Sequence, residues 1–278
     1  MINKGFKIFL SILCLVAGFT VNAQYSTETN KLKAYESAGV YITSYFNDGM
    51  DIASGLFHWE KKDWIIAGST IAAGSLIYIF DDDIRNFFQG NRSPFTNNLS
   101  KYFIEPFGSG VYSMPLFGLL YLSGEIQHNS KSKTVALNGL KTFVLSATLA
   151  TVLKQLTKRH RPYQDIMAKP NLWEGPFGGM EYTSFPSGHT LVSFALASYV
   201  SSAYKDKPWV GIVSYSMAGL VGLSRLNDDK HWASDVFVGA VLGYAVGKCI
   251  HNNTLEKHNI QILPVSRTGL GLSLIKTL

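Results

Sequence analysis

The sequence predicts an all-α protein, a bundle of about six apolar helices with a short C-terminal β-hairpin. Three observations lead there. Six apolar segments recur between residues 64 and 250, each rich in Ala, Gly, Leu and Ser, a composition that suits closely packed helices. Pro- and Gly-punctuated connections separate them. The 278-residue chain is 46% hydrophobic and 16% charged, with mean hydropathy +0.09. That is too apolar for an ordinary enzyme of this size and too mixed for a transporter built mainly of lipid-facing helix.

The elements can be taken in order. "MINKGFK" is a basic lead, "IFLSILCLVAGF" an apolar core, and Val21 and Ala23 are the small residues before a cut at Gln24, so residues 1–23 read as a signal peptide. The apolar run is short for an uncleaved anchor. Leu13 is the wrong residue before a lipidated cysteine at Cys14, and beyond the leader Cys249 is the single cysteine, which leaves no internal disulfide. Residues 24–62 form a polar, amphipathic lead-in. The apolar segments are Trp64–Phe80, Val111–Ser123, Val135–Leu153, Leu191–Tyr204, Trp209–Leu223 and Ala233–Ile250. Most are shorter than the roughly 20 residues that cross a bilayer, so they read as tilted short spans or as the buried helices of a globular bundle. A helical domain over 63–252 is followed by a tail, 253–278, that alternates around "SRTG" in the manner of a hairpin.

The net charge of +6 suits a protein that meets phosphate or anionic headgroups. No basic run with interleaved aromatics accompanies it, which argues against nucleic acid.

Three clusters carry chemistry. In "KQLTKRHRP", Lys154 and Arg161 stand seven residues apart, two helical turns, at the end of the third apolar segment, with Pro162 expected to close that helix. Lys158, Arg159 and His160 read as ordinary basic residues of a helix C-terminus, whereas Lys154 lies within the apolar stretch and needs an anionic partner or a strong pKa shift. In "TSFPSGHT", Ser187 is expected to cap the next helix and Gly188 to leave room for a ligand above its first-turn N–H groups. His189 sits beside that anion site. In "SRLNDDKHWASD", Arg225 ends the fifth segment and Asp228 and Asp229 read as structural helix-start residues. His231 and Asp235 are four apart, so the carboxylate can hold one ring nitrogen and leave the other free. Three cations, two imidazoles and a carboxylate suit the binding of a tetrahedral dianion and nucleophilic attack on it.

These stretches resemble the three motifs of the type 2 phosphatidic acid phosphatase (PAP2) superfamily, which also holds bacterial acid phosphatases and vanadium haloperoxidases. The pattern is K-x6-RP, PSGH and SR-x5-H-x3-D, and every fixed position is filled. The resemblance spans about Val135 to Ile250 and leaves the first hundred residues and the tail uncovered. It implies that Lys154, Arg161, Arg225, Ser187 and Gly188 hold the phosphoryl oxygens. It further implies that His231 attacks phosphorus, that Asp235 orients it, and that His189 protonates the leaving group and then activates water. No metal or other cofactor is implied for the phosphatase, and vanadate is expected to inhibit. "SFPSGHT" with long apolar runs is similar to the lipid-phosphatase branch, which implies a lipid phosphate or diphosphate substrate. A haloperoxidase holding vanadate on His231, an acid phosphatase for soluble substrates and a non-catalytic lipid-binding protein are the alternatives. An exported bundle, periplasmic or membrane-associated, with an extracytoplasmic site is the expected setting. A leader followed by six full spans would place that site on the cytoplasmic side, so one segment, Val111–Ser123 being the weakest, is expected not to span, or the bundle to be peripheral.

Overall fold

The computed structural model describes residues 38–55, 59–164 and 169–255, and the backbone of 260–265 and 271–276. The proposed leader and the "SRTG" turn lie outside the described residues. All six apolar segments are helices. In chain order the elements are α1 (Ala38–Ser54), α2 (Lys61–Ile79), α3 (Asp81–Gly90), α4 (Pro94–Leu99), a π-turn (Ser100–Ile104), α5 (Glu105–Gly108), α6 (Ser113–Ile126) and α7 (Ser130–Thr157). Then follow α8 (Gly188–Ala203), α9 (Pro208–Asn227), α10 (Ala233–Leu255) and an antiparallel hairpin of β1 (Ile260–Val265) with β2 (Gly271–Lys276).

Local chemistry places the helix starts. The Asp63 carboxylate accepts from the Glu60 N–H at 2.9 Å at the head of α2. Ser93 and Thr96 exchange hydrogen bonds at the head of α4, where Pro94 is the first helical residue. Asn129 Oδ1 accepts from the Ser132 N–H and opens α7. The helices run longer than their apolar cores because such polar turns extend them: α7 has 28 residues and α10 has 23. The stretch between Phe80 and Gly110, expected as a long link, is itself mostly short helix.

Helix α8 is the most enclosed. Leu191, Ala195 and Tyr199 are fully buried on it, and Ala195, Tyr199 and Ala203 form one cluster with Val135 of α7 and Val246 and Ile250 of α10. Its closest partner is α10, and glycine sets the distance. Gly239, Gly243 and Gly247 recur every fourth residue. A Cβ added to them would lie 2.7 Å from Ser187 O, 2.2 Å from Leu191 O and 2.3 Å from Ala195 O. The bare stripe lets the two backbones touch. It thereby fixes the start of α8 against the start of α10.

The outer surface is apolar. Trp64, Ile66, Ile71 and Leu76 on α2, and Ile212, Val213 and Leu220 on α9, are largely exposed. By length and composition α7, α9 and α10 suffice to cross a membrane, and α2 with α3, bent by 56° at their junction, could form a fourth span. With 14 and 16 residues, α6 and α8 are shorter. This exposed apolar surface marks the bundle as membrane-associated.

Candidate active site

The end of α7, the starts of α8 and α10, the end of α9 and the short α5 meet at one end of the bundle. All eight sequence-predicted site residues lie on these elements or on the α7–α8 and α9–α10 connections. Helix α7 stops at Thr157, earlier than expected, because Lys158 turns left-handed (φ 47°) and Arg159 pairs with Trp173 in a β-bridge. Arg161 therefore does not share a helical face with Lys154. The two cations converge by another route. Lys154 Nζ donates to the Thr183 carbonyl, and Arg161 Nη2 donates to Thr183 Oγ1 at 3.0 Å. Arg161 Nε is buried without a partner among the described residues. Lys154 is half-buried, and its contact is this carbonyl rather than the anion expected for it.

Ser187 stands at the N-cap of α8, yet its side chain makes no cap bond. Its Oγ lies 2.9 Å from Thr190 Oγ1, and its N–H donates to the Asp235 carbonyl at 3.0 Å. The tight α8–α10 contact takes it out of the expected capping role. A Cβ on Gly188 would stand 3.5 Å from Lys154 Cε, so this glycine faces the lysine. Arg225, 5% exposed, donates to Asp228 Oδ2 at 3.0 Å.

Asp228 and Asp229 do not start a helix. Asp228 caps the end of α9 and accepts from Ser100 Oγ at 2.7 Å. Asp229 (φ 56°) accepts two hydrogen bonds from the Arg85 guanidinium, at 2.7 and 2.8 Å.

The two histidines are held differently. His231 is 4% exposed and its Nδ1–H donates to the Ser184 carbonyl at 2.7 Å. Asp235 Oδ2, the partner expected from the spacing, stands farther off at 3.7 Å. Its carboxylate is drawn away by Arg159 Nη1 (2.5 Å), Ser184 Oγ (2.5 Å) and the Trp232 N–H (2.9 Å). Burial pushes the His231 imidazole down to about 3. Asp235 opposes this, while the charges of Lys154 and Arg161 add to the fall. The ring is thus neutral, with the proton on Nδ1 and the lone pair on Nε2. His189, in the first turn of α8, is part-exposed, and its Nε2 lies 2.8 Å from Glu105 Oε1. That hydrogen bond, helped by the charge of Arg225, holds the Glu105 carboxyl below the usual range. The contact is close because Gly108, one turn on, has no side chain; a Cβ there would meet His189 Cβ at 3.0 Å.

Sequence reasoning missed three residues. Arg159, expected at the surface, is fully buried, as are Asp81 and Asp235 on either side of it. Its neighbours Lys158 and His160 are buried too, His160 stacked on Tyr182 at 3.7 Å. Glu105 carried no local signal. An arginine in an apolar chain must find carboxylates, and the acids of "FDDD" right after an apolar segment were the available hint.

Residues 136–258 match the family model described as the PAP2 superfamily. A lipid A 1-phosphatase from Porphyromonas gingivalis is 41% identical over 71 residues, 25% of this chain and 16% of that protein. A probable diacylglycerol pyrophosphate phosphatase from Schizosaccharomyces pombe is 30% identical over 53% of this chain and 64% of its own length. The chain thus spans less than two thirds of either relative. A transmembrane PAP2-type phosphatidylglycerolphosphate phosphatase from Bacillus subtilis shares the fold, with TM-score 0.50 and 22% identity over 76% of this chain and 94% of that one. Motifs and family model agree on the same stretch: residues 136–258, which carry all eight residues of the predicted site, match the PAP2 superfamily model.

Proposed function

We propose that the protein is a phosphatase that removes phosphate from a lipid phosphate or diphosphate through a phosphohistidine intermediate. The observation that carries the reading is the pairing of a neutral, buried His231 with Lys154 and Arg161 converging on Thr183, and with His189 on the neighbouring helix. Arg161 Nε, buried and unpartnered, is a donor awaiting an oxygen. The exposed apolar helices favour a lipid as the carrier of the phosphate.

In the first step, His231 Nε2 attacks phosphorus in line while the bond to the leaving oxygen breaks. His189 gives that oxygen a proton. With Nε2 engaged by Glu105, Nδ1 is the nitrogen that serves. Lys154, Arg161 and Arg225 spread the charge on the transferring group, the largest catalytic contribution expected in phosphoryl transfer. In the second step His189 takes a proton from water, the hydroxide breaks the P–N bond, and inorganic phosphate leaves with the His231 imidazole restored. No step requires a metal. The site faces the extracytoplasmic side in this reading.

The test is phosphate release by the detergent-purified protein with EDTA present. Wild type is compared with His231→Ala on phosphatidate, polyprenyl diphosphate, lipid A and an aryl phosphate. Release from a lipid by wild type alone is expected. A folded wild type that hydrolyses none of them overturns the reading.

A further inference from the structure

Arg159 lies behind the site rather than in it. It has no exposed surface, and its guanidinium lies near Trp173, Tyr78 and Trp232, at 4.7, 5.1 and 5.5 Å from the ring centroids. Its N–H groups are already committed. Nε donates to Pro170 O (3.0 Å), Nη1 to Ser234 Oγ (2.8 Å) and Asp235 Oδ1 (2.5 Å), and Nη2 to Asp81 Oδ2 (2.7 Å). Little donor capacity remains for a phosphoryl oxygen, and substrate has no access.

What Arg159 does reach is the residue that holds the nucleophile. Its backbone carbonyl accepts from the Ser184 N–H at 3.0 Å. Its side chain holds the Asp235 carboxylate, which accepts from Ser184 Oγ. The Ser184 carbonyl in turn accepts the hydrogen bond of His231 Nδ1–H. Ser184 is therefore gripped from two directions by one residue. Asp81 completes the arrangement from α3, outside the family match. Its second oxygen accepts from the Ser234 N–H at 2.8 Å and so caps α10 from another helix. A buried arginine between two carboxylates is costly to desolvate, and apolar packing often does the structural job better.

We infer that the Asp81–Arg159–Asp235 bridge is a positioning device for the nucleophile. It holds the Asp235 carboxylate at 3.7 Å from His231 Nδ1 and leaves the Ser184 carbonyl as the closer acceptor of the Nδ1–H hydrogen bond, so that Nε2 is the nitrogen left for phosphorus. This rests on the phosphatase reading above for its consequence in catalysis, but not for its geometry. The first 130 residues thus contribute to a site whose motifs lie beyond them. Besides Asp235, the charged groups acting on His231 are Lys154 of α7 and Arg161 of the α7–α8 connection.

The test uses the full chain in detergent with Arg159→Met and the isosteric Asp81→Asn. The substrate is the best one found for wild type, or p-nitrophenyl phosphate. Both variants are expected to lower kcat, by about 100-fold for Arg159→Met and about 10-fold for Asp81→Asn, on the scale of losses from misplaced reacting groups. KM and inhibition by inorganic phosphate should stay within about threefold, because no phosphate contact is lost. Ring-15N NMR of His231, assigned with His231→Gln, gives a readout without substrate. In wild type the neutral ring carries its proton on Nδ1. In Arg159→Met the freed Asp235 takes that proton's hydrogen bond and the protonation midpoint rises by a unit or more. In Asp81→Asn the Nδ1–H resonance shifts. Folded variants with unchanged His231 resonances, or a raised KM at full kcat, overturn the proposal. If wild type hydrolyses nothing, the phosphatase reading fails by itself and the resonances still decide the bridge. If Arg159→Met does not fold, Asp81→Asn decides it.

Discussion

Glu105 Oε1 lies 2.8 Å from His189 Nε2, so a carboxylate from a four-residue helix outside the family match holds the ring expected to move protons. The carboxyl is held below the usual range by that hydrogen bond, which keeps it an acceptor at neutral pH. The pair resembles the base–orienter arrangement of other histidine catalysts: one nitrogen is fixed and the other is free to act. Glu105→Gln keeps the shape but lets the amide turn its donor toward the ring. The expected result is a fall in kcat of about 10- to 100-fold for an alkyl phosphate, within the usual span of proton-transfer contributions. The loss should be smaller for p-nitrophenyl phosphate, whose leaving group needs less protonation. Equal losses on both substrates would move Glu105 from proton handling to general structure.

His231 is buried and neutral, with its imidazole pushed down to about 3 chiefly by burial. The unfolded chain binds a proton at this residue near pH 6.5, so below that value unfolding takes up a proton that folding excludes. Stability is therefore complete above about pH 6.5 and declines as pH falls toward 3, at up to about 1.4 kcal/mol per pH unit from this residue. His231→Gln should flatten the part of the melting-temperature profile between pH 6.5 and 4 that His231 causes. A variant profile parallel to wild type across that window would contradict the burial argument.

The legibility of this chain follows a physical line. The six apolar helices were readable because burial writes a composition into consecutive residues, and the eight motif residues were readable because they cluster at helix ends. Arg159 was not, since the same basic string suits a solvated helix terminus. Only the left-handed turn at Lys158 and the bridge to Trp173 carry it inward. Asp81 and Glu105 act across 153 and 84 residues of sequence, on Ser234 and His189, and no local pattern records such a partnership. The spacing of His231 and Asp235 correctly put them side by side. It could not show that Arg159 competes for the carboxylate.

Arg161 carries a testable claim about phosphate. Its Nη2 is held by Thr183 Oγ1 while its buried Nε has no partner. A planar fork with one free, desolvated donor suits an oxyanion, and lysine cannot reproduce it. Arg161→Lys is expected to raise KM and to weaken inhibition by orthovanadate about 10-fold or more, with melting temperature little changed. Vanadate inhibition as strong as in wild type would remove Arg161 from the phosphate site.

The contact of α8 with α10 sets the distance between the two helix starts of the candidate site, and it depends on absent side chains. A methyl at Gly243 would lie 2.2 Å from Leu191 O, a backbone atom in the first turn of α8 that cannot rotate aside. Gly243→Ala must therefore push the helices apart. Overpacking of this kind costs about 1–3 kcal/mol. It also shifts Ser187 and His189 relative to His231, so activity should fall further than the loss of folded protein explains. Gly118→Ala on α6 is the control, because nothing lies within 4 Å of its added methyl and alanine favours helix. Melting temperature and kcat measured together on the two variants separate packing from propensity. If Gly243→Ala is as stable and as active as Gly118→Ala, the helix spacing does not control the site.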